Sequence, residues 1–228
     1  MYKDIKLDKG EVLRYLGYNN QSIDGGLDGV IDECMEEILK ISRYRYIYRV
    51  FDVRKNESCT ELEGANVRLT GGDINAHLKD CPKGALMAVT LGIETDNAIR
   101  ISQSTDMLKA VVLDACATEL AEKVCDMAEA EIKEIAEREG LGTNFRFSPG
   151  YGDLPLDTQK SIIDALDAGR KIGLTLTESS IMIPGKSVTA IIGFTKDRAA
   201  QTGKPGCDIC SMKDTCKFRK AGTTCGRN

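Results

Sequence analysis

Apolar residues recur at helical spacing in three stretches of the chain. The stretches are residues 10–17, 26–42 and about 105–138. A separation of three or four residues between apolar positions is typical of a helix with one buried face. The residues of the longest stretch that are expected to point inward are Leu108, Val111, Val112, Ala115, Leu120, Ala121, Val124, Met127 and Ala128. Gly140 and Gly142 are predicted to end this helix.

Shorter runs rich in β-branched and aromatic residues predict strands between and after the helices. These runs are residues 44–53, 67–70, 86–91, 171–176, 180–183 and 188–194. Asp73 is expected to cap a short helix that ends at Leu78, residues 158–168 are predicted to form another helix, and residues 61–64 a solvated turn. Because helices and strands alternate without a regular βαβ rhythm, the order favours an α+β fold. We expect a single domain with a twisted, mainly antiparallel sheet flanked by helices.

The composition excludes several classes of function. The 228 residues carry a formal net charge of −4, with a sequence pI near 5.3, whereas a nucleic-acid surface needs a basic patch. The apolar run at residues 84–93 is too short to cross a bilayer, and the first residues lack the apolar segment of a secretory signal. The chain is therefore predicted to be cytoplasmic, without nucleic-acid or membrane partners.

The nine cysteines fall into two groups. Five are scattered and are expected to be buried as small apolar side chains: Cys34, Cys59, Cys81, Cys116 and Cys125. Four crowd the last 22 residues: Cys207, Cys210, Cys216 and Cys225. We predict a main domain at residues 1–203 and a cysteine-rich tail at 204–228. The four tail thiolates suit zinc or an iron–sulfur cluster, and their spacing does not choose between the two. The alternative is a tail of reactive thiols without a metal.

Residues 143–155, Thr-Asn-Phe-Arg-Phe-Ser-Pro-Gly-Tyr-Gly-Asp-Leu-Pro, combine a charged fork with a rigid turn. Arg146 carries a planar guanidinium that can bind a carboxylate through two hydrogen bonds. Pro149 fixes one backbone dihedral, and Gly150 and Gly152 allow close approach to the backbone. This combination indicates a pocket for an amino-acid-like ligand, although many Pro-Gly-Tyr-Gly stretches are ordinary loops.

A second irregular segment, Leu-Thr-Glu-Ser-Ser-Ile-Met-Ile-Pro-Gly-Lys-Ser-Val at residues 176–188, follows at some distance. The order of an Arg-x-x-Pro-Gly-Tyr turn, a helix and a Leu-Thr-Glu-Ser-x-x-Met-x-Pro-Gly-x-Ser-Val segment resembles the activation domain of cobalamin-dependent methionine synthase. The resemblance covers roughly residues 85–195. It is specific because two unrelated motifs occur in the same order and at about the same spacing.

The resemblance implies a set of residues that bind S-adenosylmethionine. The family's motif falls on Arg146, Ser148 and Gly150, with Tyr151 in the same turn, and its glutamate falls on Glu122. Asp114 and Thr118 share a helix face with Glu122, because the three are spaced four residues apart. Glu119 is a rival for the role of Glu122. No catalytic residue is implied, and His77, the only histidine, is expected to be a surface or satisfied core residue.

The resemblance also implies a function in methionine biosynthesis. The chain would bind S-adenosylmethionine and act as a stand-alone activation subunit, with methyltransferase-type chemistry that depends on a partner. That partner is the cobalamin-binding module of methionine synthase, whose oxidised cofactor is reactivated by reductive methylation. Flavodoxin or ferredoxin is implied as the electron donor.

Two alternatives remain at this point. The chain could reactivate a different corrinoid methyltransferase, or it could be a non-catalytic metal-binding interaction module that kept the fold. The second alternative is favoured by the lack of counterparts to the family's early aspartate and late tyrosine. It is opposed by the intact turn and the intact Leu176–Val188 segment.

Overall fold

The structure is a computed structural model that describes residues 5–18, 21–56 and 59–196. The helices of this part are α1 (Lys9–Tyr15), α2 (Gly25–Ile41), α3 (Gly72–His77), α4 (Ile93–Thr105), α5 (Met107–Arg138), α6 (Thr158–Leu166) and α7 (Ala168–Ile172). Its strands are β1 (Arg45–Lys55), β2 (Thr60–Leu62), β3 (Val67–Leu69), β4 (Lys83–Thr90), β5 (Gly142–Thr143), β6 (Thr175–Leu176), β7 (Met182–Ile183) and β8 (Ser187–Thr195). The predicted α+β class is confirmed.

The first two helices begin where the sequence places a capping carboxylate. The Asp8 carboxylate accepts a hydrogen bond from the Gly10 N–H at 2.8 Å, and the Asp24 carboxylate accepts one from the Leu27 N–H at 2.8 Å. A side-chain acceptor at this position satisfies an amide that has no partner within the helix. The capping residues therefore fix the starts of α1 and α2 close to their predicted bounds.

The strands form a six-stranded sheet in the order β3-β2-β1-β4-β8-β5, together with a separate two-stranded sheet of β6 and β7. The pairs β1–β2, β2–β3, β5–β8 and β6–β7 are antiparallel. The last strand of the large sheet, β5, is very short and pairs with the end of β8. The predicted mainly antiparallel sheet with flanking helices is therefore confirmed.

The chain divides into two compact units. Of the described residues, the first unit contains those up to Tyr48 together with Ala88–Ala130 and Leu166–Val188. The second contains those of Arg49–Met87, Glu131–Ala165 and the residues from Thr189 to the end of the described part. In the first unit the fully buried side chains include Ile31, Ile38, Leu113 and Leu120. In the second they include Leu62, Leu69, Ile74, Leu78, Leu86, Met87 and Phe194.

The burial pattern corrects part of the prediction for α5. Leu108 and Val111 were expected to point inward but are 53% and 50% exposed. They lie in the first turns of the helix, where Ala110 is the buried residue, and continuous burial starts only at Val112. A periodic apolar pattern gives the face of a helix, but it does not show where along its length that face becomes covered.

Helix α4 was not predicted because its buried positions are largely polar. Thr95 and Ser102 are buried beside Ile99, so the apolar period is broken. The Thr95 hydroxyl lies 2.9 Å from the hydroxyl of Ser42, just after α2, and donates to the Leu91 carbonyl at 3.3 Å. Hydrogen bonds of the Thr95 side chain, to another side chain and to the backbone, thus replace part of the apolar contact on this helix.

Three further local predictions were wrong. Residues 61–64 are not simply a turn, because Glu61 and Leu62 belong to β2. Residues 171–176 do not form one strand, because α7 continues to Ile172 and Gly173 ends it in a left-handed conformation. Asp73 does not cap α3 but lies in its first turn.

Candidate functional site

A β-bulge places Arg146 at the edge of the sheet. In β5, Thr143 is opposite Phe194, and further along Phe147 is opposite Ile191. Four residue steps on one strand therefore correspond to three on the other, which leaves one extra residue between Asn144 and Phe147. Bulges of this kind bend an edge strand and redirect its side chains, and they are frequent beside functional sites.

Regular backbone hydrogen bonds hold the bulge on both sides. The Asn144 N–H donates to the Gly193 carbonyl at 3.0 Å, while Phe147 and Ile191 exchange two bonds of 2.9 and 2.8 Å. The half-buried Arg146 side chain thus starts from a backbone that is fixed before and after it.

The segment after the bulge folds into a closed turn. The Gly150 N–H donates to the Leu154 carbonyl at 2.9 Å, and the Tyr151 N–H donates to the Ser148 carbonyl at 3.0 Å. Gly150 has φ +89°, a conformation that side chains disfavour. Because the Gly150 N–H already donates a hydrogen bond within the turn, the structure accounts for a glycine at this position by its backbone conformation and by that internal hydrogen bond. The Tyr151 ring, by contrast, is 57% exposed.

The turn is in close contact with α3. The Asp153 carboxylate accepts hydrogen bonds from the N–H groups of Gly72 and Asp73, at 2.5 and 3.0 Å. Asp153 therefore provides the cap that the sequence suggested for Asp73, from a position about 80 residues away. A Cβ atom on Gly152 would overlap the Asp73 carboxylate, and one on Gly71 would overlap the Asp153 carboxylate.

The other end of α3 packs on the bulge. The His77 ring lies 4.4 Å from the Phe145 ring and 5.0 Å from the Phe147 ring, measured between centroids. The Phe147 ring in turn meets the Tyr151 ring edge-on, with 6.1 Å between centroids. Burial lowers the pKa of His77 to about 4, although Phe145 and Asn144 oppose this shift through hydrogen bonds. The imidazole is therefore neutral at physiological pH.

A separate cluster of polar side chains lies in the first unit, on the face of α5 that also carries Glu122. The Lys186 ammonium lies 3.0 Å from the Asp114 carboxylate and 2.9 Å from the Thr118 hydroxyl. That hydroxyl donates to the Asp114 carbonyl at 2.9 Å. Lys186 belongs to the second sequence motif, so this motif is tied directly to the predicted functional face of the helix.

A second carboxylate fixes the same motif from α4. Asp96 accepts hydrogen bonds from the N–H groups of Gly185 and Lys186, at 2.5 and 3.3 Å. The Ser187 hydroxyl donates to the Pro184 carbonyl at 2.7 Å, which closes the turn from within. The Pro-Gly-Lys-Ser sequence is thus a turn held by α4 and α5.

The comparison with known families bears on both motifs. The family model described as "Vitamin B12 dependent methionine synthase, activation domain" matches residues 76–202, more than half of the chain and both motifs. The chain belongs to this family. The resemblance stated from the two motifs is therefore confirmed.

The fold of this activation-domain family member is also found in a solved structure. The "Crystal Structure of the MetH Reactivation Domain bound to AdoHcy" matches with a TM-score of 0.65 and 16% sequence identity. The match covers 96% of this chain and 82% of that chain. At this identity the likeness shows the fold. Among curated proteins, no sequence matches significantly.

The structure distinguishes the two candidate glutamates of this activation-domain chain. Glu119 is fully buried, accepts a hydrogen bond from the Asp8 N–H at 3.4 Å and lies 3.5 Å from the Lys123 ammonium. Its side chain thus supports the start of α1. Glu122 is partly exposed. Glu122 lies in the first unit, whereas Arg146, Ser148, Gly150 and Tyr151 lie in the second, and its role in ligand binding stays a prediction.

The five scattered cysteines are buried and form no disulfide bond, and their burial is as predicted. Burial raises the pKa of Cys34 and Cys81 to about 11 and that of Cys116 to about 12. Within residues 5–18, 21–56 and 59–196, no group of three His, Cys, Asp or Glu side chains could hold a metal ion. Cys207, Cys210, Cys216 and Cys225 lie outside the described residues, so the predicted metal site there is not tested.

Three structural features around the two motifs were not apparent from sequence. They are the β-bulge at Arg146, the capping of α3 by Asp153 and the Lys186 cluster. Each depends on pairing between distant segments, for which local spacing gives no signal.

In the described part of the chain, no helix combines the length and apolar character needed to cross a membrane.

Proposed function

We propose that this chain binds S-adenosylmethionine and takes part in the reductive reactivation of a cobalamin-dependent methionine synthase. Family membership over residues 76–202 and the fold shared with an AdoHcy-bound reactivation domain support this. The observation that carries the proposal is the half-buried Arg146 on its bulge, followed by the closed turn that presents Tyr151. S-adenosylhomocysteine is the product that remains when S-adenosylmethionine gives up its methyl group.

The residues of the turn match the chemistry of an amino-acid nucleoside. A guanidinium can form two parallel, charge-assisted hydrogen bonds with a carboxylate, which is the role proposed for Arg146. An exposed aromatic ring offers a flat apolar surface for a purine, which is the role proposed for Tyr151. Ser148 and Gly150 shape the backbone between them.

The chain's own contribution is to bind and orient the methyl donor. The corrinoid held by a partner protein would accept an electron from a reductant such as flavodoxin or ferredoxin, and then the methyl group of the sulfonium. No proton has to be removed in this transfer, so no general base is required of the chain. Positioning alone can supply a large part of the rate.

Binding is tested by calorimetric titration with S-adenosylmethionine, S-adenosylhomocysteine and methylthioadenosine, which lacks the amino-acid group. Loss of a charge-assisted hydrogen bond of about 1.5–3 kcal/mol weakens binding roughly 10- to 150-fold. We expect Arg146→Ala to cause such a loss for the first two ligands and to leave methylthioadenosine unaffected. Arg138→Ala, which removes an exposed arginine from the end of α5, is the matched control. Equal binding of all ligands to Arg146→Ala and wild type would refute the proposed role of Arg146.

The proposed role of Glu122 in ligand binding rests on the family resemblance and is tested separately. A carboxylate complements the positive charge of the ligand's sulfonium and amino groups, so we expect Glu122→Gln to weaken binding of S-adenosylmethionine. Unchanged affinity would remove Glu122 from the proposed site. Glu119→Gln is unsuitable as a control because Glu119 is buried against α1.

The partner is tested with S-adenosylmethionine that carries a labelled methyl group. The chain is mixed with a cobalamin-loaded module of methionine synthase and a reductant, and transfer of the label to the corrinoid is measured. Transfer would show that the chain acts on this partner when supplied as a separate protein. Transfer of the label only to the corrinoid protein of another methyltransferase would show that the proposed chemistry is right but that the partner is a different protein. Absence of ligand binding would favour the non-catalytic metal-binding module.

For the tail, we propose that Cys207, Cys210, Cys216 and Cys225 bind zinc or an iron–sulfur cluster. The proposal rests on their spacing in sequence. Metal analysis and absorption spectra of protein purified without oxygen would identify the metal. Protein without stoichiometric zinc or iron, or a Cys207→Ser variant that keeps its metal, would contradict this assignment.

A further inference from the structure

We infer that α3 acts as a brace for the Arg146 turn, with Asn144 and Asp153 as positioning residues for the ligand. The inference rests on the proposed function for the identity of the ligand. The brace itself rests on hydrogen bonds within the second unit. Neither residue belongs to the set of binding residues that the sequence motifs suggested.

Asp153 fixes the start of α3 to the end of the turn. Its two carboxylate oxygens each accept one N–H, from Gly72 and Asp73. These amides lie in the first turn of a helix, where they have no intrahelical partner. The same bonds that cap the helix therefore hold the backbone directly after Gly152.

Asn144 fixes the end of α3 to the start of the bulge. Its side-chain N–H donates to the His77 carbonyl at 2.8 Å, and its side-chain oxygen accepts the Gly193 N–H at 2.6 Å. One amide group thus connects α3, β5 and β8. A Cβ atom on Gly193 would lie 2.7 Å from the Asn144 side-chain nitrogen, so the contact leaves no room for a larger residue.

The segment that contains Arg146 is therefore bound to both ends of the short helix α3. Between the two hydrogen-bonded ends, the His77 ring packs against Phe145 and Phe147, the residues on either side of Arg146. Gly71 and Gly152, both with positive φ, permit the close contact at the Asp153 end. A ligand that needs the guanidinium in one position gains affinity from this arrangement, because less ordering is required on binding.

The brace is tested first without ligand, by hydrogen–deuterium exchange of the amides in residues 147–154. Loss of a helix-capping residue typically shifts the equilibrium between the closed and the locally opened backbone about five-fold. We expect Asp153→Ala to speed exchange of the Gly150 and Leu154 amides by about that factor, and Asp153→Asn to restore protection because it keeps a capping oxygen. Asp164→Ala, which removes an exposed carboxylate from α6 in the same unit, is the control. Unchanged exchange in the turn, or equal acceleration throughout the unit, would overturn the brace.

The second measurement is a double-mutant cycle with S-adenosylhomocysteine as the titrated ligand. We expect Asp153→Ala to weaken binding about three- to ten-fold in the wild-type background and to have little effect in Arg146→Ala, because both changes act through the same guanidinium. A purely structural role would weaken binding equally in both backgrounds and would overturn the positioning role. If wild type does not bind the ligand, the proposed function fails, and the exchange experiment still decides whether the brace exists.

Discussion

His77 shows how burial changes the chemistry of a single side chain. The sequence predicted a surface or satisfied core residue, but its Nε2 atom is buried and has no hydrogen-bond partner among the described residues. The ring, on the last residue of α3, packs against two phenylalanines, where a positive charge would be poorly solvated. This explains the direction of its pKa shift without a catalytic role.

The lowered pKa of His77 predicts a pH-dependent stability. Between its ordinary pKa of 6.5 and the folded value of about 4, the unfolded chain binds more protons than the folded chain. The free energy of unfolding should therefore fall as the pH is lowered through this range, by up to about 3 kcal/mol from this group. His77→Phe keeps an aromatic ring and should reduce this loss when urea unfolding is measured at pH 7, 5.5 and 4.5. Because His77 is the only histidine, an identical pH dependence in the variant would contradict the assignment.

The buried cysteines predict a second measurable property. Only the thiolate reacts readily with alkylating agents, and burial keeps the pKa of Cys34, Cys81 and Cys116 at about 11 to 12. After brief treatment of the native protein with iodoacetamide at pH 8, peptide mass spectrometry should find these residues unmodified. Treatment in urea should modify all three. Rapid modification of Cys81 in the native protein would show that its surroundings open more easily than the structure indicates.

Among the elements, the cluster around Lys186 connects a sequence motif to a helix. The Lys186 side chain is 21% exposed and meets both Asp114 and Thr118, whereas Asp114 is about half exposed. Lys186→Met should lower the free energy of unfolding by about 1 kcal/mol, because it removes a partly shielded ion pair and a hydrogen bond. Lys40→Met, at an exposed pair with Glu36, should change it by less than about 0.5 kcal/mol. Urea denaturation at low salt measures the free energy of unfolding of both variants. Equally small losses in Lys186→Met and Lys40→Met would mean that the Lys186 cluster adds no stability.

The elements also show which parts of a fold are readable from one sequence. Helices α1, α2 and α5 were predicted because their apolar residues repeat with the helical period. The caps at Asp8 and Asp24 became apparent only in the structure. Helix α4 was missed because Thr95 and Ser102 occupy buried positions. Residues 171–176 were predicted as a strand because their pattern is apolar and β-branched, yet the hydrogen bond from the Gly173 N–H to the Gly169 carbonyl ends a helix there.

For the molecule as a whole, the sequence identified the family but not the support of the site. Arg146 and the residues after it were proposed as binding residues because a rigid, irregular motif is visible in sequence, and their role in binding stays a prediction. Asn144 and Asp153 were not found, because their partners Gly193, His77 and Gly72 are far away along the chain. Candidate ligand-binding residues can thus be proposed from a motif, whereas the residues that hold them require the pairing of distant segments.

The proposed function predicts that ligand binding stabilises the whole folded chain. A ligand that binds only the folded state at 100 times its dissociation constant adds about 2.7 kcal/mol to the free energy of unfolding. For a chain of this size, such a gain corresponds to a rise in Tm of roughly 5–10 °C. We expect S-adenosylhomocysteine to produce this rise in thermal unfolding of the wild type and of Arg138→Ala.

At the same ligand concentration, the rise should be much smaller in Arg146→Ala, because its weaker binding lowers the ratio of ligand to dissociation constant. The comparison separates binding from folding, since the ligand-free Tm of each variant is measured in the same series. An equal rise in Arg146→Ala would mean that the ligand binds without this guanidinium. In that case the bulge at Arg146 would be a feature of the sheet edge alone.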